Sequence, residues 1–490
     1  MPSHAPPLPI LAATSLTLLL AACGGGRADI TERGTPDLRT ADDSGGAATV
    51  FEGPVPRAQC GPGSQPETDI QGRVAIEDRT SGRSQQGYWC NLELTGQFQG
   101  EGASWQMAWY DDCAYYDTQL GGIAAHTVPG TQVIDVSDPT NPVRTVNLTT
   151  GAMLDPWESL KVNERRGLLG AVAGWNGQGP VYFDVYDVAS DCTQPELMAS
   201  TPVQLPVGHE GNWAPDGTIY YGSSTRTPIT VAIDVTEPSA PTPISNINRQ
   251  THGLSMSEDG TRAYLASNRE CDGVGNGLRI VDTSHVQDRE TLAGAEVLGE
   301  VCWTDGSAAQ HTVPITIGGN PFILFVDEAG LGAARLIDIR DETQPVVASK
   351  LKLEIHMPER EELRTADLFN TGVFGYEGHY CGVDRVTNTT TVACGYFQSG
   401  IRVFDVRDPY APREIAYFNP PAQEGNRTAI PGSQHANGLV GSAGGTTSLT
   451  ADWCSAQVRL IPERGELWTT CQDNGFMVLR FTNGVWPFVD

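Results

Sequence analysis

Four of the nine histidines stand at matched positions. His209, His252 and His311 each precede a glycine (Gly217, Gly260, Gly319) by eight residues, and His379 precedes Asn388 by nine. Each of these glycines, and Asn388, marks a turn between two strand-like stretches. Four successive segments therefore deliver an imidazole to the start of the same strand. Neutral imidazole suits Zn, Cu, Fe and Ni, so a ring of such side chains predicts a transition-metal site. Two other expectations stand beside it: a hydrogen-bonding brace repeated from segment to segment, and a pocket in which His and Trp hold an organic ligand. In the last segment Asp452 takes the matching place, and Trp105 and Trp157 lie near it in the first two. His126 and His435 fall in connecting segments that the same arrangement brings to this end of the molecule. Asp272, Asp327, Glu328 and Asp473 are expected in loops of that face, either as turn residues or as oxygen ligands for Ca²⁺. No G-x-S-x-G, H-E-x-x-H or Walker pattern occurs.

The elements that position these residues are marked by a recurring tag, aliphatic–aliphatic–Asp–aliphatic followed by Pro. It reads Val133-Ile134-Asp135-Val136, Val185-Tyr186-Asp187-Val188, Ala232-Ile233-Asp234-Val235, Ile280-Val281-Asp282, Leu336-Ile337-Asp338-Ile339 and Val403-Phe404-Asp405-Val406, with a degenerate Met477-Val478-Leu479-Arg480. Repeats spaced roughly 50 residues apart indicate supersecondary units that cannot each bury their own face. With 55 glycines and 33 prolines, the chain reads as all-β and turn-rich. Each unit accommodates four strands with the tag on the third. The expected fold is a single β-propeller of seven four-stranded blades. Residues 89–98 read as an orphan outer strand that completes blade seven and closes the ring. The tag Asp is expected to accept backbone N–H groups of the turn that follows.

The tags resemble those of the LVIVD-repeat family of exported bacterial and archaeal propellers, over residues 89–490. That resemblance implies the fold and an extracytoplasmic setting, and no particular activity. In WD-repeat propellers a His at a similar place is a brace. Propellers with ringed histidines also resemble copper-dependent oxidases of small sulfur compounds and the copper-cluster domain of nitrous oxide reductase, though the fuller histidine set of the latter is missing here.

Residues 1–22 read as a targeting segment, its apolar stretch too short to span a bilayer. Leu20-Ala21-Ala22-Cys23 resembles a bacterial lipobox, which implies cleavage before Cys23, lipidation of its thiol and a membrane partner through that lipid. Residues 23–58 read as a flexible tether and 59–490 as the propeller. Ten further cysteines, an even number in an exported chain, predict disulfides. Register across hairpins pairs Cys381 with Cys394 and Cys454 with Cys471. Cys271 with Cys302 and Cys60 with Cys90 follow less directly, leaving Cys113 and Cys192 over. A net charge of -28 disfavours nucleic acid, and none is expected as a partner. The functional expectation is a lipid-anchored scaffold of the cell envelope, on its periplasmic or cell-surface side. It would bind an unidentified protein or small molecule through a His/Trp-rich face. The alternative is a metal-dependent, copper-like oxidoreductase or a hydrolase, with a transition metal or Ca²⁺ at the propeller mouth.

Overall fold

Seven antiparallel sheets follow one another along the chain and close into a β-propeller. The computed structural model describes residues 50–118, 128–173, 181–203, 207–225, 227–268, 271, 275–290, 295–367, 374–423 and 451–488. The 1–22 segment, Cys23, most of the expected tether, His126, His435 and Asp272 lie outside the described residues. The innermost strands are Met107–Tyr110, Lys161–Asn163, Gly211–Trp213, Leu254–Met256, Gly306–Ile317, Cys381–Val383 and Arg459–Ile461, for blades one to seven. Gly217, Gly260, Gly319 and Asn388 have φ of 72°, 71°, 79° and 53°, the left-handed conformation that the turn after the innermost strand requires.

The third strand of each blade carries the tag, and the tag explains the corner that follows. The carboxylates of Asp135, Asp187, Asp234, Asp282, Asp338 and Asp405 each accept the backbone N–H two residues on, at 2.7–3.1 Å. That is an Asx turn, repeated six times. The aliphatic residues beside it alternate between the two faces of the blade, as a period of two demands. Val133, Leu169 and Val188, for instance, meet in one core between blades one and two. Burial of each such side chain is worth roughly 1.5–3 kcal/mol.

Ring closure differs in detail from the expectation for residues 89–98. The segment divides at Asn91, whose φ is 57°. Leu92–Phe98 pairs with Gly475–Phe481 and completes blade seven. Tyr88–Cys90 instead adds a fifth strand to blade six, beside Arg413–Asn419. Asn91 holds the junction, its amide donating to the carbonyls of Gln59 and Ile415. One short stretch thus covers the outer edges of two blades, which would otherwise be open to pairing.

The body also begins earlier than residue 59. Val55 is buried and donates its N–H to the Lys352 carbonyl at 2.8 Å, and Lys350 pairs with Glu52 at 2.7 Å. The chain from there to Gly87 lies over blades five and six. Arg79 reaches the Gln398 side chain, and Glu67 pairs with the buried Arg402. Val50, Phe51 and Val55, within the expected tether, thus pack against the body.

All ten cysteines of the body are paired. Cys381–Cys394 and Cys454–Cys471 bridge neighbouring strands as register demands, and Cys271–Cys302 and Cys60–Cys90 also form. Cys113 and Cys192, unassigned by sequence, join each other and clip blade one to blade two. Five such bonds point to an oxidising, extracytoplasmic compartment. Among the described residues, no helix is long and apolar enough to cross a membrane.

Candidate metal centre on the propeller axis

The starts of the innermost strands converge on the axis, and Glu158 stands at the centre. Trp157, immediately before it, has φ 50°, an uncommon conformation for a bulky residue and one held in place by buried surroundings. A parallel bridge from Glu158 to Glu210 sets its height against blade three. Its carboxylate meets three imidazoles from three other blades. His209 Nε2 lies 3.3 Å from Oε2, His252 Nε2 lies 3.2 Å from the same oxygen, and His379 Nε2 lies 3.0 Å from Oε1. Glu328 closes the far side, 3.7 Å from His379 Nε2 and 3.8 Å from His252 Nδ1. These groups form two triads that share Glu158: one with His209 and His252, the other with Glu328 and His379. Within each triad the donor atoms lie within 4.8 Å of one another.

The outer ring nitrogens explain why Nε2 faces inward. His252 Nδ1 lies 3.0 Å from the Ala309 carbonyl and His379 Nδ1 lies 2.9 Å from the Ser455 carbonyl. Only a protonated Nδ1 can satisfy a carbonyl, which leaves the lone pair of the neutral ring on Nε2. The inner atoms are less well satisfied. His252 Nε2, Glu158 Oε2 and Glu328 Oε2 are fully buried yet lack an aligned hydrogen bond among the described residues. Close approach of N and O without alignment is what a set of ligands aimed at a shared ion shows.

Electrostatics follow from burial. Desolvation alone would push the imidazolium pKa values down, but the Glu158 carboxylate outweighs it, raising His252 to about 9 and His379 to about 10. Burial likewise pushes the Glu158 carboxyl up, but the positive charge of the adjoining His209 and His252 outweighs it and holds the carboxyl well below its ordinary range. Protons on Nε2 therefore occupy the place that a cation would take. Three carboxylates (Glu158, Glu210, Glu328) and one ammonium (Lys161) line the axis. A single divalent cation with all imidazoles neutral brings that set to neutrality. Three imidazole donors with carboxylate suit a transition metal. Ca²⁺, which takes six to eight oxygen ligands, fits this set poorly.

His311 departs from its three partners. A bulge between Ala309 and His311, with Ala308 at φ 52°, inserts Gln310 into the strand. Gln310 then reaches His379 Nε2 at 3.2 Å, while His311 Nδ1 turns onto Glu210 at 2.9 Å. His311 forms part of a second layer with Lys161 and Tyr380, beside a cavity of about 170 Å³ lined by the innermost strands. Burial lowers the His311 pKa, Glu210 opposing and Lys161 reinforcing that shift. Burial also depresses Lys161 to about 8.

Other expected residues take structural roles. Asp452 accepts the backbone N–H groups of Trp453, Asp473 and Asn474, and so anchors a loop. Asp327 lies within the strand Asn320–Gly330, not in a loop, and is held by Arg335 and Asn276. Glu328 follows it in the same strand but points to the axis. Trp105, Trp157, Phe397 and Trp453 form one buried cluster above the site, with Trp105 5.1 Å from the His379 ring. The histidines and tryptophans are thus interior residues, not an exposed contact face; His252 and His379 have no solvent exposure. Sequence reading did not single out Glu158 or Glu210. The available signal was their position, directly after Trp157 and directly after His209. Fold and site together define a seven-bladed, disulfide-braced propeller with a His/Glu cluster buried on its axis. No protein-family model matches the chain, and no curated protein matches it in sequence.

Proposed function

We propose that this protein is a metal-dependent enzyme of the cell envelope, with a divalent transition metal held on the propeller axis by Nε2 of His209, His252 and His379 and by Glu158 and Glu328. The observation that carries the reading is the convergence of three imidazoles from three blades, two of them fixed in tautomer by backbone carbonyls, on one buried carboxylate. Bound there, the metal would supply Lewis-acid or redox chemistry to a small molecule, in an oxidoreductase or a hydrolase. The aromatic cluster above it keeps bulk water away, which strengthens every charge interaction inside. Elemental analysis of protein purified without chelator or histidine tag tests this. A near-stoichiometric transition metal, lost in His252→Ala and His379→Ala, is expected. Absence of metal, even after reconstitution with Zn²⁺, Cu²⁺, Fe²⁺ and Mn²⁺, would reduce the cluster to buried ion pairs.

A second reading follows from the fold: a propeller suits an interaction scaffold. Because the axial histidines are buried, such a partner would meet the blade rims and not the His/Trp cluster. Resemblance of the tags supports assignment to the LVIVD-repeat family, and the lipobox-like Leu20-Ala21-Ala22-Cys23 supports lipid anchoring at Cys23. Cys23→Ser is expected to move the protein from the membrane fraction to the soluble envelope fraction.

A further inference from the structure

The chain contains three lysines among its 31 basic residues. Lys350 and Lys352 are tied to Asp305, at 3.0 and 2.7 Å. Lys161 is different. It is 94% buried, and its ammonium has no hydrogen-bond acceptor among the described residues. Glu210 stands 4.0 Å away, and the Tyr380 ring lies 4.6 Å below. A buried ammonium with three unused N–H donors is costly unless something accepts them. The space beside it is not filled by protein. Lys161 lines the inner part of the axial cavity of about 170 Å³, together with His311, Asn212, Ser255, Thr312 and Gln457. At the other end the cavity is bordered by Trp109 and the exposed Glu164, whose side chains are joined at 3.1 Å. His311 is anchored to Glu210 through Nδ1, which leaves Nε2 as its remaining ring nitrogen.

We propose that the axial cavity is a binding site for a small molecule bearing a carboxylate or carbonyl oxygen, which accepts the N–H groups of Lys161 beside His311. The size of the cavity restricts the ligand to a few non-hydrogen atoms, and its inner wall of amide, hydroxyl and imidazole groups favours a polar one. This site does not depend on the metal reading, since none of the five proposed metal ligands lines the cavity.

Reductive methylation with formaldehyde and cyanoborohydride, mapped by mass spectrometry, tests the proposal on the full chain. With only three lysines the readout is unambiguous. Lys161 should be methylated through the cavity. Acetate or acetamide should slow that reaction at least about tenfold, the effect expected of a charge-assisted hydrogen bond, with Lys350 and Lys352 unaffected. Protection by acetate alone identifies a carboxylate ligand, and protection by acetamide a neutral carbonyl. Ser255→Leu, which narrows the cavity but retains Lys161, should abolish protection while the circular dichroism spectrum stays native. The proposal is overturned if Lys161 stays unmodified while the other two react. It is equally overturned if neither probe changes its rate, or if Ser255→Leu is protected like the wild type.

Discussion

His379 Nε2 lies 3.0 Å from Glu158 Oε1, so that blade six touches blade two across the propeller axis. The two residues are far apart in sequence, and only ring closure brings them together. Their contact ties the integrity of the site to that of the whole ring.

Glu158→Gln removes the carboxylate shared by all three inward-facing imidazoles. Metal content is expected to fall more than about tenfold, in line with loss of a primary ligand. Metal-free protein should also lose about 3 kcal/mol of stability, because the partner imidazolium groups stay buried with only the more distant Glu328 to balance them. Elemental analysis beside urea denaturation measures these effects. Unchanged metal content in the variant would remove Glu158 from the centre.

Gly253 separates His252 from the innermost strand of blade four. A Cβ there would stand 1.9 Å from Glu210 Oε2 and 2.4 Å from the Gln310 carbonyl. Gly253→Ala should therefore cost about 1–3 kcal/mol through overpacking and disturb the Glu210–His311 pair. A denaturation midpoint equal to that of the wild type would show that this region of the axis yields easily.

Asp305 gathers Arg335, Lys350 and Lys352 of blade five and the segment after it. Burial would raise its pKa, but Arg335, Lys352 and Lys350 overcome that and hold it below the usual carboxylate range. A carboxyl depressed in the folded state stabilises above the unfolded value of about 3.9 and loses that contribution as pH falls through the folded value. Asp305→Asn should consequently be less stable than wild type at pH 7, and the gap should narrow below about pH 4. Urea titrations across this range check the sign. A gap independent of pH would refute the electrostatic account.

The Cys113–Cys192 bond closes a separation of 79 residues, against 13 for Cys381–Cys394. On the chain-entropy account its removal should cost more, by on the order of 1 kcal/mol. Paired Cys→Ser variants compared by thermal unfolding test the ranking. The reverse order would show that local packing, not loop closure, sets the contribution of each bond.

Much of the architecture was legible because it depends on local chemistry. The Asp of each tag needs only the turn beside it, so six of them behave alike. Cys381 and Cys394 face each other because a short hairpin fixes their register. The division at Asn91 was not legible, since the amide that holds it answers to the carbonyls of Gln59 and Ile415, remote partners that only the folded ring supplies. Nor was the Cys113–Cys192 bond, which spans two blades and obeys no hairpin register.

The site shows the same division. Repetition alone singled out His209, His252, His311 and His379, because each occupies a fixed distance from a turn residue. Glu158, Glu210 and Glu328 carry no such mark in a chain with 59 acidic residues. Their role arises where seven strands meet on one axis, and convergence of that kind has no period in sequence. The bulge at Gln310 likewise separates His311 from its three partners, although all four look alike along the chain. Sequence by itself determined the propeller, its turns and the histidine series, through local hydrogen bonding and alternation. Tertiary structure alone decided which side chains share the axis, because buried charges select their partners across space.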